Sequence, residues 1–298
     1  MIFEAITIIG PGRMGLALGS ALWRSGEVRT LTFFGRHPEP PSHPIFIEGG
    51  AEYVFGIQPL ARDTSALILA VPDEIVPEMA FTVAAHGAAP HHCSAFHLSG
   101  ALPTDVLGPL HEQGYGVGSL YPMVNVPDRS IGRDPLAGSF FAVTGASETV
   151  ATARRLTAAI GAELITVPAV RRPLFYAVAV MAAGYLPLLL GLSARLMERS
   201  GVPIEEALPA LLSIIRGVGN AVEARGLAEA LPDPFVRGDL EAVALHLRAL
   251  EQEDRRLYAL LGLEVLRLTG DAVEPSARGA LEELLGRQLE LETTGPGF

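Results

Sequence analysis

Residues 4–15, EAITIIGPGRMG, decide the fold. A β-branched apolar run of strand length leads into Gly10, Gly12 and Gly15 at the G-x-G-x-x-G spacing. The segment MGLALGSALWRSG follows, with helical periodicity, and stops at Gly26. The glycine spacing alone is a weak signal. Placed after a strand, at the opening of a helix and at the start of a βαβ unit, it reads as a dinucleotide-binding turn. Gly10 permits the tight turn, Gly12 lets a pyrophosphate approach the backbone, and Gly15 lets the helix pack close to the strand. The helix N-terminus adds unpaired N–H groups and a partial positive charge. Pro11, Arg13 and Met14 fill the turn and are expected against the same ligand.

Outward from this unit the first half alternates strands and helices. VRTLTFF, TSALILAVP, CSAFHLSG, YGVGSLYP, GSFFAVTG and AELITVP read as strands. EIVPEMAFTVAAHG and SETVATARRLTAAIG read as helices, the second with Ser147 as its cap. Such alternation predicts a mainly parallel sheet with helices on both faces. The Pro-rich RHPEPPSHP, residues 36–44, reads as a surface loop, after which the sheet resumes. Beyond Pro168 the periodicity is helical throughout, and GDLEAVALHLRALEQEDRRLYALLGLEVLRL reads as one amphipathic helical stretch. The expected organisation is an α/β Rossmann domain over 1–168 and an all-α domain over 169–298, concerned with substrate and dimerisation.

The end of the second strand bears on the choice of dinucleotide. An NAD site usually places Asp or Glu there to hold the ribose hydroxyls. This chain has TFFGRHPEP, residues 32–40, with Gly35 and Arg36 at that position. A carboxylate would repel a 2′-phosphate, whereas Arg can form paired hydrogen bonds to it, so the residues read as NADP(H). In LILAVPDEIV, Ala70, Val71, Pro72 and Asp73 end another strand, and ligands in open parallel sheets lie outside the carboxyl ends. These four are expected on the nicotinamide side. In SAFHLSGALP, residues 94–103, His97 ends the next strand at the same edge. A histidine there can donate a proton or hold a carboxylate. Ser99 can hydrogen-bond substrate, and Gly100 allows close approach. A strand-end histidine that only caps backbone groups is the structural alternative.

Composition limits the other possibilities. The formal net charge of −11 argues against nucleic-acid backbones and anionic membranes as partners. All 22 basic residues are Arg, so neither a Schiff base nor a lysine acid is available. Cys93 is the single cysteine, which fits a reducing cytoplasm and excludes a thiolate metal cluster. The neighbouring His91 and His92 would point to opposite faces of a strand, so no metal site is expected. The N-terminus shows no signal-peptide pattern. Residues 173–192, PLFYAVAVMAAGYLPLLLGL, carry no charge over a bilayer-spanning length. Interrupted by Gly184 and Pro187, they are read as a helix buried in the helical domain or in a dimer interface rather than in a membrane.

The G-x-G-x-x-G turn, the AVPD, the HLSG with GSLYP downstream, and RGDLEAVALHL together resemble one family. It comprises Rossmann-like proteins with a C-terminal helical domain of unknown function 2520. It lies in the superfamily of 6-phosphogluconate dehydrogenase, ketopantoate reductase and pyrroline-5-carboxylate reductase. The resemblance implies a homodimer with its active site in an interdomain cleft. His97, Ser99 and Gly100 match the family's HxSG, and Arg237, Gly238 and Asp239 its RGD. Three positions depart from it. Tyr121-Pro122 stands for His-Pro, Phe175-Tyr176 for Tyr-His, and Gly184 for a frequent Asn.

Two functions remain open on these residues. One is an NADP(H)-dependent oxidoreductase acting on a small carbonyl or imine substrate bearing a carboxylate. There His97 would be the acid, Ser99, Tyr121 and Tyr176 would position substrate, and Arg237 would bind the carboxylate or pair with Asp239. The other is a non-catalytic NADP(H)-binding sensor or assembly protein. Hydride exchange with a deazaflavin, as in relatives, is not separated from the first.

Overall fold

β1 (Phe3–Ile9) lies inside a sheet that also contains β2 (Val28–Gly35), β3 (Glu52–Phe55), β4 (Thr64–Leu69), β5 (Ser94–His97), β6 (Gly116–Pro122), β7 (Phe140–Gly145) and β8 (Glu163–Thr166). The computed structural model describes residues 3–126 and 136–290. Among these residues the strand order is β3-β2-β1-β4-β5-β6-β7-β8. All neighbours are parallel except β6 and β7, so the last two strands run against the rest. The chain winds outward from β1 to β3 and then crosses back to β4. This puts the topological switch, and the crevice that goes with it, at the carboxyl ends of β1 and β4.

Period-two alternation divides the sheet's apolar side chains between two cores. Ile6, Ile8, Phe33, Ile68, Phe96 and Phe141 face the layer of α1 (Arg13–Ser25) and α5 (Ser147–Ala159). Ile9, Phe34, Leu67 and Leu69 face the layer of α3 (Val76–Ala84) and α4 (Gly108–Glu112). The short α2 (Pro44–Ile47) lies in the β2–β3 connection. Phe33, Phe96 and Phe141 are fully buried. Each contributes roughly 1.5–3 kcal/mol of transfer free energy. Cys93 is buried in the second core, and burial pushes its thiol up to about 12. Ser147 is the first residue of α5 rather than its cap. Ala146 holds the cap position without a side-chain bond.

After β8 the described chain is helical. α6 (Arg172–Ala179) passes through a π-helical turn at Val180–Gly184 into α7 (Tyr185–Arg199). Pro187 lacks an N–H, and its ring would clash with the carbonyl of Ala183. The extra residue of the π turn relieves that conflict. Two compact units divide at Leu186/Pro187, not at 168/169. Arg172, the first residue of α6, hydrogen-bonds to strand and loop residues of the first unit.

The second unit continues with α8 (Ile204–Arg225), α9 (Asp233–Val236), α10 (Leu240–Ala249), α11 (Gln252–Leu268) and α12 (Pro275–Glu290). Phe235, Val243, Leu247, Ala259, Leu266, Leu281 and Leu285 form its core. The amphipathic helical stretch consists of two helices, separated where Leu250 and Glu251 become extended. Arg195 and Arg199 near the end of α7 pair with Asp254, and Arg199 with Glu251 as well, at the start of α11.

The uncharged segment was expected to be buried in the helical domain or in a dimer interface. Residues Ala169–Arg199 are long and apolar enough to cross a membrane by length and composition. Their most apolar window is not buried inside the chain. Met181 is 64% exposed and Leu188 55%.

Candidate functional site

The glycine turn is built by contact as much as by conformation. Gly10 has φ +102°, and a Cβ there would strike the carbonyl of Ala70 at the end of β4. A Cβ on Gly15 would strike the carbonyl of Gly10. Gly12 differs, because a Cβ on it would meet nothing within 4 Å. It is the N-cap of α1 and makes no side-chain capping bond. The first turn of α1 thus presents its N–H groups to open space, as an anion-binding turn requires. Arg13 on that turn is exposed.

The end of β2 carries its own contacts. Gly35 hydrogen-bonds through its carbonyl to Gly56 and is covered by the ring of Tyr53 from β3. Arg36 is exposed, and its Nε donates to Nε2 of His37 at 3.3 Å. Tyr53 donates its hydroxyl to the carbonyl of His37 at 2.6 Å.

A cleft of about 260 Å³ opens at the switch, lined by Met14, Ala70, Val71, Asp73, Leu98, Ser99, Tyr121, Pro122 and Val124. Carboxyl-end residues of β4, β5 and β6 thus meet Met14 of the glycine turn. Of the AVPD residues, Pro72 alone is not on the cleft wall. It caps the turn Asp73–Ile75 and accepts from the N–H of Ile75. Ser99 is on the wall, but its single proton is committed to Asp73 at 2.7 Å. Its oxygen accepts from the N–H groups of Ala101 and Leu102. It shapes the loop and orients the Asp73 carboxylate.

His97 lies elsewhere than expected. It is fully buried and is not among the residues lining the cleft. Its pKa falls from 6.5 to about 4. Burial is the main cause and the charge of Arg172 the second, while the Pro103 backbone and the Asp73 charge oppose them. Neither ring nitrogen makes a well-aligned hydrogen bond among the described residues. At neutral pH the imidazole is uncharged. Its burial and lowered pKa bear against the expectation that His97 is the acid.

Arg172 is the residue the sequence reading missed. Strand register aligns His97 with Ser119, and Ser119 with Thr144. The Arg172 guanidinium crosses this row, donating to the hydroxyls of Ser119 and, at 3.4 Å, Thr144. Its other amino group donates to the carbonyls of Ser99, Gly100 and Leu102 at 3.1, 3.1 and 2.8 Å. Only 7% exposed, it has no carboxylate partner among the described residues, and burial lowers its pKa. The available signal was a pair of hydroxyl residues, Ser119 and Thr144, inside otherwise apolar strands.

Tyr121 and Tyr176 meet edge to face with centroids 6.3 Å apart. A Cβ on Gly100 would collide with Tyr176 and crowd Tyr121, so that glycine makes room for both rings. Burial, with Tyr176 adding to it, raises the Tyr121 pKa above 10 and keeps its hydroxyl protonated. Arg237 belongs to the second unit. It is exposed, and its partner is Asp233 at 3.9 Å rather than Asp239. Asp239 instead caps α10 by accepting from the N–H of Ala242. No group of three or more His, Cys, Asp or Glu suited to a metal occurs among the described residues.

Residues 49–122 match the family described as Rossmann-like domain, and residues 139–265 match the family described as Domain of unknown function (DUF2520). The second match starts at the head of β7, inside the sheet, so the matched segment includes strands as well as helices. Two segments of the chain are thus similar to a Rossmann-like domain and to domain 2520, the pair that the motifs led us to expect. No curated protein matches by sequence. Solved structures share the fold. A protein of Bacteroides fragilis provisionally named as an NADP oxidoreductase is 20% identical, with TM-score 0.68, over 88% of this chain and 97% of its own. Protein TM1727 of Thermotoga maritima is 17% identical, with TM-score 0.69, over 89% and 98%. Pyrroline carboxylate reductase of Plasmodium falciparum, solved with NADP bound, is 14% identical, with TM-score 0.58, over 97% and 98%.

Proposed function

We propose that the protein is an NADP(H)-dependent oxidoreductase that reduces a small imine or carbonyl compound. The observation that carries this reading is the continuity between the open cradle at Gly12 and the cleft walled by Met14, Asp73 and Tyr121. The solved relatives that carry NADP or NADPH support the choice of cofactor. In this reading the turn from Gly10 to Gly15 holds the pyrophosphate and Arg36 the 2′-phosphate. Ala70 and Val71 flank the nicotinamide side of the site. When bound, the nicotinamide supplies a hydride. Tyr121 presents a proton to the substrate oxygen or nitrogen, and the apolar wall of Leu98, Pro122 and Val124 excludes water.

The charge on the wall bears on the substrate. Asp73 is the single ionisable carboxylate among the described lining residues, and no Arg, His or Lys joins it. It would attract a protonated imine and repel a carboxylate at that point. We therefore favour an imine over the carboxylate-bearing substrate first expected. In an iminium the nitrogen already carries its proton, so hydride addition to carbon completes an amine without a further donor.

A second reading, an NADP(H)-binding protein without turnover, is favoured by the burial of His97, which removes the acid that the HxSG motif offers. Titration with NADPH and NADH, followed by single-turnover oxidation of bound NADPH with cyclic imines and ketones, tests both. Tight NADPH binding with imine-dependent oxidation supports the enzyme. Binding without oxidation by any substrate supports the second reading.

In the same reading the exposed apolar segment Ala169–Arg199 pairs with a second copy of the chain, and the protein works in the cytoplasm as a homodimer.

A further inference from the structure

We infer that Tyr53 is a positioning residue for cofactor discrimination, fixing the loop that carries Arg36; this rests on the NADP(H) reading above. Arg36 is exposed and begins the connection after β2, where a long side chain would otherwise sample many rotamers. Two contacts restrict it. The backbone of the next residue, His37, is held by the hydroxyl of Tyr53 at 2.6 Å. The side chain of His37 accepts from Nε of Arg36 at 3.3 Å, which leaves the two terminal amino groups of Arg36 for an anion. Tyr53 is itself held. Its register partner in β2 is Phe33, its ring packs edge to face on Phe46, and it occupies the space a Cβ on Gly35 would need.

Gly35 therefore has a role that the usual account of this position does not supply. Its φ is not in the left-handed region. It is glycine because the Tyr53 ring and hydroxyl cross the strand end there to reach His37. The chain from β3 through Tyr53 and His37 to Arg36 orders a guanidinium before ligand arrives. Preorganisation of this kind raises affinity by reducing the ordering cost of binding.

The test is fluorescence titration of the full chain and its Tyr53→Phe variant with NADPH and with NADH. The phenyl ring keeps the packing on Phe46 and removes only the bond to His37. We expect the ratio of NADPH to NADH affinity to fall about five-fold, with NADH affinity unchanged. In an Arg36→Ala background the same substitution should leave the ratio where Arg36→Ala put it. A wild-type preference for NADPH that survives Tyr53→Phe intact, or a loss shared equally by both nucleotides, overturns the role of Tyr53 while leaving the cofactor reading in place. A wild-type protein that binds both nucleotides equally overturns the 2′-phosphate reading and this inference with it. Should Tyr53→Phe not fold, Gly35→Ala displaces the hydroxyl with every other side chain kept, and the same ratio is read.

Discussion

The guanidinium of Arg172 lies beside the imidazole of His97, and its charge is the second cause, after burial, that holds His97 neutral down to about pH 4. Both residues stand at the row His97, Ser119, Thr144, which crosses three neighbouring strands where β5 ends. One of the two keeps its charge by hydrogen-bonding to carbonyls and hydroxyls, and the other gives its charge up.

A pH dependence of stability follows. His97 has a folded pKa of about 4 against an ordinary 6.5, so between these values the unfolded chain binds a proton that the folded chain does not. Stability is then lost as pH falls from 6.5 towards 4, by about 3 kcal/mol in all from this group. Urea midpoints at pH 5 and pH 7 measure it. His97→Phe should flatten the slope over that window.

Replacing Arg172 with Met leaves the carbonyls of Ser99, Gly100 and Leu102 and the hydroxyl of Ser119 without their donor. The expected loss is roughly 3 kcal/mol or more by chemical denaturation. If the variant folds, the His97 pKa should rise, which the imidazole proton signals would report during an NMR titration.

The glycines of the first turn should separate binding from folding. Gly12→Ala places its methyl in space the protein leaves open, so stability should change by less than about 1 kcal/mol. NADPH affinity should nevertheless fall at least ten-fold. Gly15→Ala forces a methyl against the carbonyl of Gly10 and should cost roughly 3 kcal/mol in thermal or chemical unfolding.

Tyr121→Phe removes the protonated hydroxyl on the cleft wall. NADPH binding should hold, carbonyl reduction should drop by about 10²-fold, and reduction of a preformed iminium, which carries its own proton, should change little. Because burial raises the Tyr121 pKa, any fall in the wild-type rate due to this group should come at higher pH than an ordinary tyrosine would give.

For the exposed apolar segment, Leu188→Glu and Met181→Glu should convert a dimer into a monomer in sedimentation experiments, with circular dichroism unchanged. A wild-type monomer at micromolar concentration would refute the pairing.

The sheet was legible because its signals are local. Period-two apolar runs and the glycine turn specify β1, α1 and the carboxyl edge from a few adjacent residues each. The class change near Pro168 was visible for the same reason, through the loss of alternation. The environment of His97 was not legible, because adjacency to the edge is a sequence property, whereas its surroundings include the charge of Arg172, 75 positions away by the difference of the two residue numbers. Ser99 lies on the cleft wall, and its commitment to Asp73 depends on a contact between separate loops. The split between α10 and α11 escaped notice because neither Leu250 nor Glu251 is a helix breaker by type. Tyr53 carried no signal, since β3 is short and its pattern ordinary.

The buried thiol of Cys93 makes the molecule a quiet background for labelling. With its pKa pushed up to about 12, and with no lysine in the chain, maleimides find no competing thiolate and side-chain amines offer no target. A cysteine introduced for Val124, at the cleft wall, would therefore be the one site to react under native conditions. A fluorophore attached there could report cleft occupancy directly, before any substrate is known.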